Sequence, residues 1–316
     1  MATRTITLLA AALAGALAGA PARAAETLRV AKAVPEAFSF TPLDIGIRKG
    51  FFGKYGVAVE ASAFAGDAKL QQAMTANSID MGIGSGPGLA FIVKGSPVKA
   101  VAAMAGPPLL LAIVVRPDGA KSVAELKAKK IGVSTAGSLT YWLVSETSRR
   151  QGWGPQGIDI APMGAMGGQI AALKRGDIDG IVMDLSTAFD LENRGEGRIL
   201  VRFGDLQDFI VHVIYATDAL IASRPGAIRG FLKGWFETIA FMRKNKAATV
   251  AIAKDVIDKD EAIVSRTYDE VMPMFSDDGR FKPSALKVLA KSFVALNTLP
   301  AEPDMSQLYT EAYLPK

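Results

Sequence analysis

The 316-residue chain has no cysteine, which removes thiolate nucleophiles, disulfides and every cysteine-based zinc or iron–sulfur site. It has one histidine, His212, so histidine clusters around a metal and most histidine-centred catalysis are also excluded. Charge of one sign is scarce: 36 Lys and Arg stand against 31 Asp and Glu, a net +5 spread thinly along the chain. Nothing resembles the concentrated basic face that a phosphate backbone requires, so no nucleic acid is expected as a partner. Long uninterrupted apolar runs are missing too. The stretch 98–115 is broken by Lys99 and by Gly106-Pro107-Pro108, and because proline removes backbone donors it reads as two buried strands joined by a turn. Conventional catalysis has little to work with, and no cofactor or metal is expected.

What is present begins with an address. Arg4 precedes an apolar stretch over 6–20, and Ala22-Arg23-Ala24 supplies a small-x-small cleavage pattern. Residues 1–24 therefore read as a secretory signal; the competing reading, a membrane anchor, needs roughly 20 apolar residues. With no cysteine to acylate, the mature chain is expected free in a periplasm-like compartment.

The rest is long enough for roughly two domains. Strand and helix patterns alternate: 27–32 strand, 42–49 helix, 57–61 strand, 67–76 helix, 79–83 strand. The alternation restarts over 130–134, 140–150, 158–161, 167–175 and 179–183, punctuated by Gly152, Gly154, Pro155 and Gly164. Alternation of this kind predicts largely parallel sheets covered by helices. An internal repeat accompanies the restart, because 73–83 aligns with 172–182 through the shared Ile-Asp step at Ile79-Asp80 and Ile178-Asp179. Two copies so far apart fit two similar lobes. A strand over 209–217 follows, then helices over 226–244, 247–256, 261–271 and 283–295, and a polar tail over 298–316.

Ligands of open α/β sheets bind beyond the carboxyl ends of the strands, and two-lobed proteins bind them between lobes. The candidate residues therefore lie in strand-end loops. Phe38, Ser39 and Phe40 follow the first strand; the two aromatics either stack on a planar ligand or plug the lobe. Ser85, Gly86 and Pro87 sit in Gly82-Ile83-Gly84-Ser85-Gly86-Pro87-Gly88, which fails the dinucleotide, Walker and hydrolase-elbow spacings, leaving a ligand-approaching loop or a tight turn. Gly137, Ser138, Leu139, Thr140 and the nearby Tyr141 and Trp142 open a helix. Its free N–H groups and hydroxyls make a receptor for an anionic group, although simple capping by Ser138 explains the same residues. Asp184 either receives a donor from a ligand or caps the helix after it. His212, on a strand-like run, is either structural or a ligand contact.

Several segments together resemble one family. Gly50-Phe51-Phe52 with Tyr55-Gly56-Val57, the Asn77-Ser78-Ile79-Asp80 turn, Lys94-Gly95-Ser96-Pro97-Val98, Leu126-Lys127 with Lys129-Lys130-Ile131-Gly132-Val133, Gly137-Ser138 and the closing Tyr313-Leu314-Pro315 look like the NMT1/THI5-like substrate-binding proteins of ABC importers. The resemblance implies a type II periplasmic-binding-protein fold: two α/β lobes, two crossover strands and a ligand cleft at the hinge, with the helical C-terminal part on the first lobe. It places 27–112 and 215–316 in one lobe and 113–210 in the other, with crossovers near Val115 and Phe209. It implies a monomeric receptor that takes a small, anionic organic ligand to a membrane permease, with contacts at Ser85 to Pro87, Gly137 to Thr140 and Asp184. The Met183-Asp184-Leu185-Ser186 segment departs from the aromatic-acidic-Pro motif of many members, so the ligand is not carried over. Two other classes compete: a pyrimidine-precursor-synthase-like enzyme, disfavoured by the missing cysteine and single histidine, and a ligand-sensing accessory protein of a signalling system.

Overall fold

The protein is described by a computed structural model covering residues 25–107, 110–204 and 208–316; the signal segment expected at 1–24 lies outside the described residues. Strand β1 (Glu26–Lys32) buries Leu28, Val30 and Ala31 and pairs in parallel with β2 (Val57–Ala63) and β3 (Met81–Ser85). Parallel neighbours need crossovers, and helices α1 (Thr41–Arg48) and α2 (Asp67–Thr75) provide them. Pro42 sits in the first turn of α1, where its missing N–H costs no helical bond. Helix α3 (Leu89–Val93) then leads into β4 (Val98–Ala105).

After β4 the chain leaves this sheet, and β5 (Leu111–Val115) belongs to a second one. That sheet is completed by β6 (Lys130–Val133), β7 (Asp159–Pro162), β8 (Gly180–Asp184) and β9 (Arg198–Arg202), with helices α4 (Leu139–Arg150), α5 (Met166–Arg175) and α6 (Leu185–Asn193) between them. After β9 the chain returns, and β10 (His212–Thr217) re-enters the first sheet. Strand orders are β2-β1-β3-β10-β4 and β7-β6-β8-β5-β9. The repeated segments 73–83 and 172–182 thus fall on α2–β3 and α5–β8, equivalent places in two sheets of one plan.

Each sheet is mixed. Strands β10 and β5 run antiparallel to both their neighbours, because each arrives from the opposite lobe and enters in reverse. The apolar stretch 98–115 is two buried strands as expected, but the link between them is a crossing between sheets, not a turn within one. The expected lobe limits at 112 and 215 fall inside β5 and β10. Burial of both strands on both faces hides the crossing in one apolar run.

Helices α7 (Asp218–Ser223), α8 (Pro225–Lys244), α9 (Lys246–Ile257), α10 (Glu261–Val271) and α11 (Pro283–Ala295) follow β10. The Gly-Phe-Phe segment is a packing device: Phe52 stacks on Phe231 of α8 at 4.8 Å, and a Cβ at Gly234 would meet the Phe52 ring at 2.6 Å. The tail read as merely polar is anchored. Leu308 and Thr310 exchange backbone hydrogen bonds with Ala100 of β4 at 3.0 and 2.9 Å, extending the first sheet. Among the described residues no helix is long and apolar enough to cross a membrane.

Candidate functional site

The carboxyl ends of the parallel strands in both sheets open onto one cleft of about 1050 Å³, counting its mouth. The first lobe contributes the loop 33–40 after β1, Asp67 and Ser85; the second contributes Ser134, Leu139, Thr140, 164–166 and 182–185. Both crossings pass through its wall as Leu110, Leu111, Val211 and His212, and α10 adds Thr267 and Val271. Of the residues expected from sequence, Phe38, Ser39, Phe40, Ser85, Leu139, Thr140, Asp184 and His212 line this cleft. Gly86, Pro87, Gly137, Ser138 and Trp142 do not.

The glycine-rich loop is built for close packing. A Cβ at Gly86 would lie 1.9 Å from the Ile210 carbonyl oxygen of the returning crossing, and the Gly86 N–H donates to Val211 at 3.0 Å. Pro87, Gly137, Ser138 and Trp142 instead line a smaller neighbouring pocket against Phe293 and Leu296 of the first lobe. There the Trp142 Nε1–H donates to Ser292 Oγ at 2.9 Å across the lobes, and the indole rests on Phe209 at 4.4 Å.

The expected anion receptor at the start of α4 exists, but its anion is part of the protein. Asp67 is 4% exposed and accepts from the Ser85 N–H at 2.8 Å and from the backbone of Leu139, the first residue of α4. Burial pushes its carboxyl above the ordinary aspartate range, and these hydrogen bonds oppose the shift. Ser138 Oγ caps the helix by accepting from the Tyr141 N–H at 3.3 Å, and Thr140 Oγ1 accepts from the Ser134 N–H at 3.0 Å. Several other helix starts at the cleft have side-chain partners, but that of α1, whose N-cap residue Phe40 lines the cleft, has none. Ala68 of α2 donates to Thr135 Oγ1 at 3.2 Å, Gly88 donates to Ser85 Oγ at 3.3 Å, and Asp184 accepts from the Ser186 N–H at 3.0 Å and Thr187 Oγ1 at 3.0 Å. The start of α5 carries no side-chain cap and lies at the exposed mouth.

Asp184 caps α6 and also lines the cleft, where it is partly exposed. Burial raises its carboxyl against the pull of four hydrogen bonds from Ser186 and Thr187. His212 is 8% exposed, lies 4.8 Å from the Phe40 ring, and has a buried Nδ1 with no hydrogen-bond partner. Desolvation pushes its pKa down to about 4, opposed by a backbone hydrogen bond with Gly84, so the ring is neutral at pH 7.

Among the cleft residues that escaped the sequence reading are Glu36, Asp67 and Gln169. Glu36 is half-buried; burial, and then the neighbouring charge of Asp184, raise its carboxyl against the pull of its own backbone N–H and of the Lys32 and Lys259 charges. Asp67 carried a signal, an acid opening a helix directly after Gly66. Gln169 carried none; its Nε2 donates to the Gly164 carbonyl at 2.7 Å, which fixes the amide orientation and leaves a buried Oε1 with no partner. Among the described residues no Lys or Arg lines the cleft. Lys32 and Lys259, whose charges reach Glu36, are paired with Asp44 at 2.9 Å and with Asp190 at 2.8 Å. Among the described residues no cluster of three or more His, Asp or Glu is placed to hold a metal ion.

The family model described as NMT1/THI5 like matches residues 37–248, more than half of the chain. A Haemophilus influenzae protein named for thiamine biosynthesis is 32% identical over 91 residues, which span 28% of this chain and 29% of that protein. A solved structure from Bordetella bronchiseptica RB50 is 25% identical, with a TM-score of 0.79 over 91% of this chain and 95% of that one. The alkanesulfonate-binding protein SsuA from Xanthomonas axonopodis pv. citri, solved with MOPS, is 19% identical, with a TM-score of 0.79 over 91% and 99% of the two chains. The fold is that of the periplasmic binding proteins.

Proposed function

The chain belongs to the NMT1/THI5-like family, and from that premise we propose that it is a solute-binding receptor of an ABC importer. It takes a small organic solute between its lobes and presents it to a membrane permease. It works as a single copy in the periplasm, after removal of 1–24 and without a lipid anchor. The observation that carries this reading is the cleft itself, walled by the strand ends of two sheets and crossed by the two segments that join them. Two crossings leave the lobes free to rotate as rigid bodies, so that a solute is enclosed on closure.

Polar contacts already join the lobes on both sides of the cleft. Trp142 meets Ser292 on one side; on the other, Arg202 pairs with Glu270 and the Arg266 guanidinium lies 3.5 Å from the centre of the Phe189 ring. An enzymatic reading finds less support: the cleft offers a neutral His212, hydrogen-bonded carboxylates and no cysteine.

A thermal-shift screen of amines, pyrimidines, carboxylates and sulfonates tests the proposal. A solute at 100 times its dissociation constant adds about 2.7 kcal/mol to stability. The expected result is stabilisation by one class, with the solute recovered unchanged. Conversion of the solute to a product points to the enzyme, and no stabilisation by any class removes the receptor reading.

A further inference from the structure

We propose that the cleft selects an organic cation, a protonated amine or amidinium on an apolar body, with Glu36 as the group that receives its charge. The inference rests on the receptor reading and names the solute class for that same cleft. Its first ground is the balance of charge. Glu36, Asp67 and Asp184 line the cleft, no Lys or Arg among the described residues does, and Lys32 and Lys259, whose charges reach Glu36, are held by Asp44 and Asp190. The donors that would hold an anion are mostly spent. The start of α4 is satisfied by Asp67 and Ser138, that of α6 by Asp184, and that of α2 by Thr135. The starts of α1 and α5 have no side-chain cap and are each equivalent to about half a positive charge, together less than ionised Glu36 and Asp184 provide in the opposite sign.

The second ground is the supply of unused acceptors. Glu36 accepts no hydrogen bond from another described residue, whereas Asp67 and Asp184 are saturated by backbone and hydroxyl donors. His212 edges the same cleft, is more than nine-tenths buried, and holds an Nδ1 with no partner. A donor-bearing cation satisfies Glu36, and it also relieves the repulsion between Glu36 and Asp184. Around these polar atoms the wall is apolar: Phe38, Phe40, Phe64, Met166, Met183 and Met274. Aromatic faces and thioether sulfurs suit a flat hydrocarbon or heteroaromatic body, and an aromatic face also favours a neighbouring cation.

The test uses one phenyl body with different charges: benzamidinium, benzylammonium, benzamide, benzoate and benzenesulfonate, titrated by calorimetry into the purified full chain. The cations are expected to bind, benzamidinium about tenfold or more tighter than neutral benzamide, the scale of one charge-assisted hydrogen bond. Glu36→Gln should remove that margin, and Glu36→Asp should restore part of it. Tighter binding of benzoate or benzenesulfonate, or an unchanged margin in Glu36→Gln, overturns the charge assignment and leaves the receptor reading standing. Failure of all five compounds also overturns it, because a cleft built for cations on apolar bodies takes at least one of them. The receptor reading falls separately, if no class in the wider screen stabilises the protein.

Discussion

His212 couples the cleft to acidity in a direction fixed by its surroundings. The folded protein holds the ring at a pKa of about 4, whereas an unfolded chain leaves it near the ordinary value of 6.5. Between those two values the unfolded chain binds the extra proton. The stability contributed by the neutral ring is therefore complete above about pH 6.5 and is lost as pH falls towards 4, roughly 3 kcal/mol in all. Urea unfolding of the protein and of His212→Gln at pH 7 and pH 4.5 checks this: the variant should lose less stability on acidification, and equal losses would contradict it. Residue-scale legibility follows the same chemistry. Ser138 was readable as an anion contact or a cap because a hydroxyl at a helix start serves either, and Asp184 was readable as a cap or a ligand contact because its position permits both. Glu36 was not. It sits beside Phe38 and Phe40 in the first strand-end loop, and a lone carboxylate in a loop looks the same in sequence whether water or a cleft surrounds it.

Elements were legible wherever a period could be counted. The 3.6-residue spacing of Ile228, Phe231, Leu232, Trp235 and Ile239 gives α8, whose apolar face is buried as the spacing requires. What a period does not carry is partnership. Strands β4 and β5 read as one broken apolar run although they belong to different sheets, and the tail read as polar although it pairs with β4. The tail contact is backbone bonding, and the main chain is the same for every residue. It still has a cost to remove: two hydrogen bonds to Ala100, the buried Leu308, and Tyr309 against Phe281 at 4.5 Å. Deleting 305–316 should lower stability by roughly 3–5 kcal/mol, from about 1 kcal/mol per hydrogen bond plus one buried leucine. It should also uncover the β4 edge to self-association. Calorimetric melting with sedimentation velocity checks both effects, and an unchanged melting temperature in a monodisperse variant would show the tail to be dispensable.

At the scale of the molecule, the two sheets share one plan because they share one sequence pattern, repeated at 73–83 and 172–182. Their arrangement puts both sets of strand ends against a common space. That much was legible, since α/β alternation fixes which end of a sheet carries loops fit to bind. The sign of the cleft was not, because it depends on which carboxylates stay accessible once the helix starts have taken their partners. Many of the contacts between lobes are polar, among them Ala68 with Thr135, Asp67 with Leu139, Trp142 with Ser292, Arg202 with Glu270, and Lys259 with Asp190. Contacts of that kind are worth little singly, so a bound solute touching both lobes adds enough to decide between open and closed arrangements. Small-angle X-ray scattering, with and without the solute that stabilises the protein most, tests this directly. A solute-binding receptor should show a smaller radius of gyration at saturation, with a scattering curve matching the arrangement described above. Calorimetric saturation with an unchanged radius of gyration would contradict capture between moving lobes.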